Sequence, residues 1–309
     1  MWRERPIAGV GYLSHLYTRI AAGRESDEIE RWLDREFENP AAEPIKKATS
    51  GSRLTQEDWR HLVRFLAAQI VRTPAYFVGN FPRWPAEAQK FLDSTLPELV
   101  REFEAAKRSG KSITVPDAPN RDSLPFRITA EAGPGEDSVR LKATTVVGRG
   151  WWLSIMRHLL SGAGALRLLH EHRWSIVAPH QGSTWFTSDD PVIRLNCRGE
   201  GRYGFKGGCG ELGTEIFLPL GPHHLLYTRI GHRPPPRGAV LPRAETEMIR
   251  RCIAEHAFRM IFGASQAEDV AKLRPRIVND ELLRSEREQW RNWHERQTEA
   301  EREVSGSGP

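Results

Sequence analysis

Between Arg173 and Arg229 the chain breaks into short apolar runs, each stopped by Pro, Gly, Asp or Asn. Trp174, Ile176 and Val177 form the first, Trp185 and Phe186 the second, and Val192, Ile193 and Leu195 the third. Ile216, Phe217, Leu218 and Leu220 follow, then Leu225, Leu226 and Tyr227. Such runs predict strands of a mostly buried sheet. Phe126 to Ala132 and Val139 to Ala143 alternate about a turn at Gly133–Asp137, which predicts a hairpin.

Elsewhere the apolar period is helical. Ser26 to Phe37 places Ile29, Trp32, Leu33 and Phe37 on one side, with Ser26 as N-cap. Thr55, with Asp58 three residues on, opens a helix through Leu62, Phe65, Leu66, Ile70 and Val71 that stops at Thr73 before Pro74. Ala86 to Ser109 reads as helix with Pro97 as a break or kink, and Gly150 to Leu169 as helix interrupted by Gly162 and Gly164. Arg243 to Phe262 is strongly periodic, and the charged Glu281 to Val304 carries a thin stripe of Leu283, Trp290, Trp293, Ala300 and Val304.

These elements predict an α+β fold, a helical N-terminal part packed on a central antiparallel or mixed sheet, with C-terminal helices. One domain is expected over residues 1–265, with N-terminal helices in 1–110, hairpin and sheet in 111–232, and a helix over 243–262. Residues 266–304 read as a charged helical extension and 305–309 as a disordered tail.

Charge and cysteine usage narrow the classes. The net charge is +5, and 45 basic residues interleave with 40 acidic ones, so no basic block marks a nucleic-acid surface. No apolar stretch approaches the ~20 residues of a membrane helix. Three cysteines, Cys197, Cys209 and Cys252, form no disulfide framework and fit a reducing, cytoplasmic setting.

The candidate chemistry sits at two turns. Pro191 pushes Asp190 toward extended backbone behind Ser188 and Asp189, and Gly221 and Pro222 turn the chain into His223 and His224. If the strands pair suitably, Asp189, Asp190, Glu215 and His223 with His224 converge as donors for a divalent metal or general acid–base work. In the other reading Ser188 and Asp189 bond turn amides and the histidines sit at the surface. Arg72 either meets Asp189, Asp190 or an anion, or caps its own helix. The ligand-binding candidates are therefore Arg72, Ser188, Asp189, Glu215 and His224, and the catalytic ones Asp189, Asp190 and His223.

Other motifs fail on context. His170 and His172 diverge if they end a helix, which the preceding leucines favour. Gly199, Gly201 and Gly204 match a dinucleotide pattern with no helix behind it and read as a hairpin insert over 199–213. Lys206 lacks phosphate-loop spacing, Cys197 and Cys209 lack zinc spacing, and Trp151 with Trp152 reads as packing.

TSDDPV followed by EIFLPLGPHHLLYT resembles the paired signature of a bacterial family known as the domain of unknown function 4238. GVGYLSHLYT, FLAAQIVRTP at 65–74 and RWSIVAP at 173–179 carry the resemblance across residues 9–265. It implies the fold and a conspicuous site, without a reaction or a cofactor. Members open with a His-Tyr-Val-Pro-type segment absent here before Gly9, so the complete protein is expected to begin upstream of Met1. Two functions follow as expectations. One is a binding or regulatory module with a small-anion or partner site around the TSDDP and PLGPHH turns. The alternative is a metal-assisted hydrolase or nuclease using Asp189, Asp190, Glu215 and His223.

Overall fold

A computed structural model describes residues 3–4, 15–21, 24–110, 126–132, 139–162, 164–197, 202–273 and 279–305. The arm at 5–14, the connector at 111–125, the turn at 133–137, Gly199 with Gly201, and the tail beyond 305 lie outside them. In chain order come β1 (Arg19–Ala21), β2 (Arg24–Ser26), α1 (Glu28–Leu33), a π turn at Asp34–Glu38, α2 (Asn39–Thr49), α3 (Gln56–Val71), α4 (Pro74–Asn80), α5 (Trp84–Arg108), β3 (Phe126–Ala132), β4 (Val139–Thr145) and α6 (Arg149–Leu160). A 3-10 turn at Ala165–Glu171 leads into β5 (Ser175–Val177), β6 (Thr187–Ser188), β7 (Ile193–Cys197), β8 (Tyr203–Gly204), β9 (Glu215–Gly221) and β10 (His224–Arg229). Then follow α7 (Arg243–His256), β11 (Ile261–Phe262), α8 (Val270–Leu273), α9 (Asp280–Arg291) and α10 (Trp293–Ser305). The class is α+β with antiparallel sheets. Among the described residues no helix is long and apolar enough to cross a membrane.

Contacts divide the chain into two compact units. The first comprises residues 1–14, 30–76 and 159–283, and the second 15–29, 77–158 and 284–309.

The first unit is built on a five-stranded sheet in the order β5-β10-β9-β7-β8. Strand side chains alternate between faces, and here both faces are buried. Val177, Ile193, Leu195, Phe217, Leu225 and Tyr227 share a cluster with Ile249, Cys252, Ile253 and Ala254 of α7. The opposite parity, Ile176, Ile216, Leu218 and Leu226, is just as buried, and α2, which packs on α3, reaches β9. Burial on both faces is why these strands read as continuous apolar runs, each such side chain contributing about 1.5–3 kcal/mol. Trp185 and Phe186 are core residues just ahead of β6 rather than a strand of their own, with the Trp185 amide donating to the Pro222 carbonyl at 2.7 Å.

The expected start of α3 is present in full. Thr55 Oγ1 accepts from the Asp58 amide at 3.1 Å, and Asp58 Oδ2 accepts from the Thr55 amide at 2.7 Å. Lys47 of α2 adds bonds of 3.0 and 3.1 Å to the same carboxylate. The Thr55 amide first, then Lys47, hold the Asp58 pKa at about 2. A depressed carboxylate stabilises the fold above its unfolded value and loses that contribution as pH falls through about 2.

Two helices depart from expectation for identifiable reasons. The helix predicted over Ser26–Phe37 begins at Glu28 and continues through the π turn into α2. Pro40 has no amide to donate and would press on the carbonyl four residues back; the wider turn just before it, with the Asn39 amide bonding Asp34, relieves both. The helix predicted to Phe262 ends at His256, where Ala257 turns extended (ψ 130). The next two amides bond Asp189, and Ile261–Phe262 pairs with Thr187–Ser188. Residues 150–169 divide as the two glycines suggested, into α6 and the 3-10 turn.

In the second unit the predicted hairpin pairs β3 with β4 from Phe126↔Thr145 to Ala132↔Val139, and α5 runs unbroken through Pro97. Trp84, Trp152 and Trp293 meet Phe77 edge-to-face, and Trp290 meets it tilted, in one aromatic cluster. Arg149 is fully buried and held by Glu301 at 3.0 and 2.8 Å, with Thr298 at 3.3 Å. The stripe expected over 281–304 is two helices, of which α10 supplies the buried Trp293 and Thr298.

Candidate functional site

The Ser188–Pro191 corner is saturated with hydrogen bonds. Ser188 Oγ donates to the Asp190 carbonyl at 2.9 Å. The Asp189 carboxylate accepts from the amides of Phe258 (3.0 Å) and Arg259 (2.9 Å). Asp190 Oδ1 accepts from Thr73 Oγ1 at 3.2 Å, and Oδ2 lies 3.6 Å from His256 Nδ1. Burial pushes the Asp190 carboxyl up, against the pull of His256 and Thr73. His256, with Phe205 edge-on to its ring at 5.1 Å, was invisible to motif reading. It belongs to the corner only because α7 stops there. Arg72 caps α3 and pairs its guanidinium with the Glu38 carboxylate.

The remaining candidates are spread along one hairpin. Glu215 pairs in register with Arg229, while Gly221 pairs with His224 at the other end. Six strand steps of ~3.3 Å put about 20 Å between Glu215 and that turn. Glu215 accepts from the Tyr227 hydroxyl and faces Arg229 at 3.8 Å; burial raises its pKa against both. His223 is exposed, and His224 is half-buried with its pKa lowered by burial first, then by His223 and Arg237. The structure thus does not bring Glu215 together with His223 and His224.

Among the described residues a three-donor His/carboxylate group occurs in the second unit, at His15, Glu25 and His294. Arg149 Nη1 lies 2.8 Å from His294 Nδ1. A guanidinium only donates, so Nδ1 accepts and Nε2 carries the hydrogen, which goes to Glu25 Oε1 at 3.0 Å. Neither ring nitrogen of His294 then has a lone pair left for a metal.

A concavity lies elsewhere in the first unit. One stripe of α3, Gln56, Trp59, Arg60, Val63 and Arg64, forms a wall of a cavity of about 700 Å³. Their three- and four-residue spacing is that of a single helix face. The 3-10 turn packs against α3 and contributes His170, followed by His172, Arg173, Trp174 and Ser175. The third wall is the loop Arg233–Arg237, fastened to β5 by bonds of 2.8 Å from the Gly238 amide to Ile176 and from the Ala178 amide to Ala239. Gly238 sits at φ +81, a conformation that L side chains rarely adopt.

Five arginines and two histidines line this cavity, and no lining residue is acidic. Arg60 pairs with Glu57 at 2.6 Å, Arg64 with Glu36 at 3.5 Å, and Arg237 donates to the Ser52 carbonyl at 2.6 Å. Among the described residues no hydrogen bond or ion pair engages the guanidinium of Arg173 or Arg233. Burial first, then Arg64 and Arg60, lower the pKa of His170. His172 Nε2 donates to the Cys209 carbonyl at 2.6 Å, and Trp174 Nε1 to Leu169 at 2.8 Å, which fixes both rings.

A family model described as a protein of unknown function, DUF4238, matches residues 1–267. The chain belongs to the DUF4238 family. The whole cavity and the Asp189 corner fall within the DUF4238 match, whereas α10, which supplies the partners of Arg149, lies beyond it. No curated protein and no solved structure matches this DUF4238 chain.

Proposed function

We propose that this DUF4238 protein is a binding module for a small anion, and that the anion sits in the arginine-lined cavity rather than at the TSDDP and PLGPHH turns. The observation that carries this is the collection of five arginines in the lining without one acidic residue, two of their guanidinium groups unengaged among the described residues. Like charges converging on one concavity repel each other, and an anion removes that repulsion while accepting paired N–H bonds. The Asp189 carboxylate, by contrast, is already bonded to two backbone amides. The hydrolase alternative needs Asp189, Asp190, Glu215 and His223 around one point, and the hairpin register holds Glu215 away from His223.

Calorimetric titration with sulfate and with inorganic phosphate tests the reading. The wild-type protein is expected to bind one anion per chain. The doubly substituted Arg173→Ala, Arg233→Ala protein is expected to bind at least tenfold more weakly, which is about 1.4 kcal/mol, with its thermal midpoint unchanged or raised. No binding by the wild type, or equal binding by the double variant, overturns it.

A further inference from the structure

Resting on that reading, we infer that the anion is the phosphate end of a nucleoside phosphate, whose base lies against the tryptophans, Trp59 and Trp174, that line the same cavity. A volume of about 700 Å³ is far more than a phosphate ion needs and falls in the range of pockets for whole small molecules. The lining is chemically divided. Beside the arginines stand Trp59, Val63, Trp174 and Pro234 to Pro236, flat or rigid apolar groups with no role in holding a bare anion.

The placement follows from the local structure. Trp59 and Val63 are one helical turn apart on α3, and Arg60 and Arg64 follow each of them by one residue, so apolar and charged side chains alternate along the same stripe. On the facing segment Arg173 precedes Trp174, and the bond from Trp174 Nε1 to Leu169 holds that indole in place. Base stacking on an aromatic side chain contributes about 1–3 kcal/mol per base, and guanidinium forks suit phosphate oxygens. Gln56 adds an amide with both donor and acceptor at the start of the stripe. A ligand with charge but no ring would leave the apolar part of the lining unused.

The nucleotide unit comes either free or as part of a single strand, and the probes separate the two. ADP, ribose 5-phosphate, inorganic phosphate and a short single-stranded oligothymidylate would be titrated into the wild-type protein and into Trp59→Leu and Trp59→Phe. ADP is expected to bind at least tenfold tighter than ribose 5-phosphate. Trp59→Leu is expected to erase that gap while leaving ribose 5-phosphate binding unchanged, and Trp59→Phe to retain most of it. Oligothymidylate binding with the same dependence on Trp59, but none by ADP, supports the nucleotide chemistry and assigns it to a strand. Equal affinity for ADP and ribose 5-phosphate overturns this inference and leaves the anion site standing. Binding of none of the four probes overturns both.

Discussion

The Asp189 corner and the arginine cavity belong to the same unit and treat charge in opposite ways. At the corner the Asp189 carboxylate is met by amides just beyond α7, and that of Asp190 by Thr73 beyond α3 and by His256 at the end of α7. In the cavity, charges of one sign are brought together and some are left unmatched. The corner is the more conspicuous in sequence because a turn that captures distant amides needs particular residues in a particular order. The cavity needs only guanidiniums at three separate places. What differs is what each arrangement is completed by: the fold completes the corner, and in the proposed reading an anion would complete the cavity.

That contrast can be broken most directly at Asp189. Asp189→Ala removes charge-assisted bonds to two amides and is expected to cost about 2 kcal/mol in urea unfolding, with anion affinity unchanged. Intact stability with lost affinity would move the binding site to the corner.

A second, smaller effect sharpens the cavity side. Arg64 and Arg60 of α3 face His170 and, after burial, disfavour its protonation; Glu171, His172 and Arg173 follow it in sequence. An anion on those guanidiniums offsets their effect and raises the His170 pKa in the complex, so binding takes up a proton. Affinity for sulfate, which does not titrate in this range, is expected to rise a few-fold from about pH 7.5 to about pH 5.5, and His170→Gln to flatten that profile. A flat profile in the wild type would place the anion away from Arg60 and Arg64.

The smallest change is expected at Asp190. Its pKa is raised chiefly by burial, so its stability contribution is present below the unfolded value and is lost as pH rises through the folded one. Asp190→Asn keeps an oxygen for Thr73 and removes the buried charge. Stability at neutral pH is expected to stay level or rise by about 0.5 kcal/mol, the gap closing in acid as the wild type protonates. A loss above about 1 kcal/mol in chemical unfolding would show that the His256 pair outweighs the burial.

Sequence patterning revealed α3 because Thr55 and Asp58 are local to each other, and it revealed β5, β7, β9 and β10 because both their faces are apolar. It hid α2, whose Pro40 and Pro44 look like breakers until a π turn absorbs the first. It overran the end of α7 because the residue that stops it, Asp189, lies 69 positions before Phe258. The cavity was illegible for the same kind of reason. Arg60, Arg173 and Arg233 are ordinary members of an evenly mixed sequence, and only the meeting of α3, the 3-10 turn and the loop after β10 makes them neighbours.

That loop has a second consequence. β5 ends the sheet, so its outer side offers unpaired peptide groups of the kind that recruit other chains. Gly238, Ala239 and Leu241 cover it, with bonds from Gly238 to Ile176, from Ala178 to Ala239 and from Leu241 to Ala178. The segment that presents Arg233 and Arg237 therefore also blunts an adhesive strand. Gly238→Val, forced toward a φ it does not tolerate, would loosen the ligand wall and bare an aggregation seam in one step.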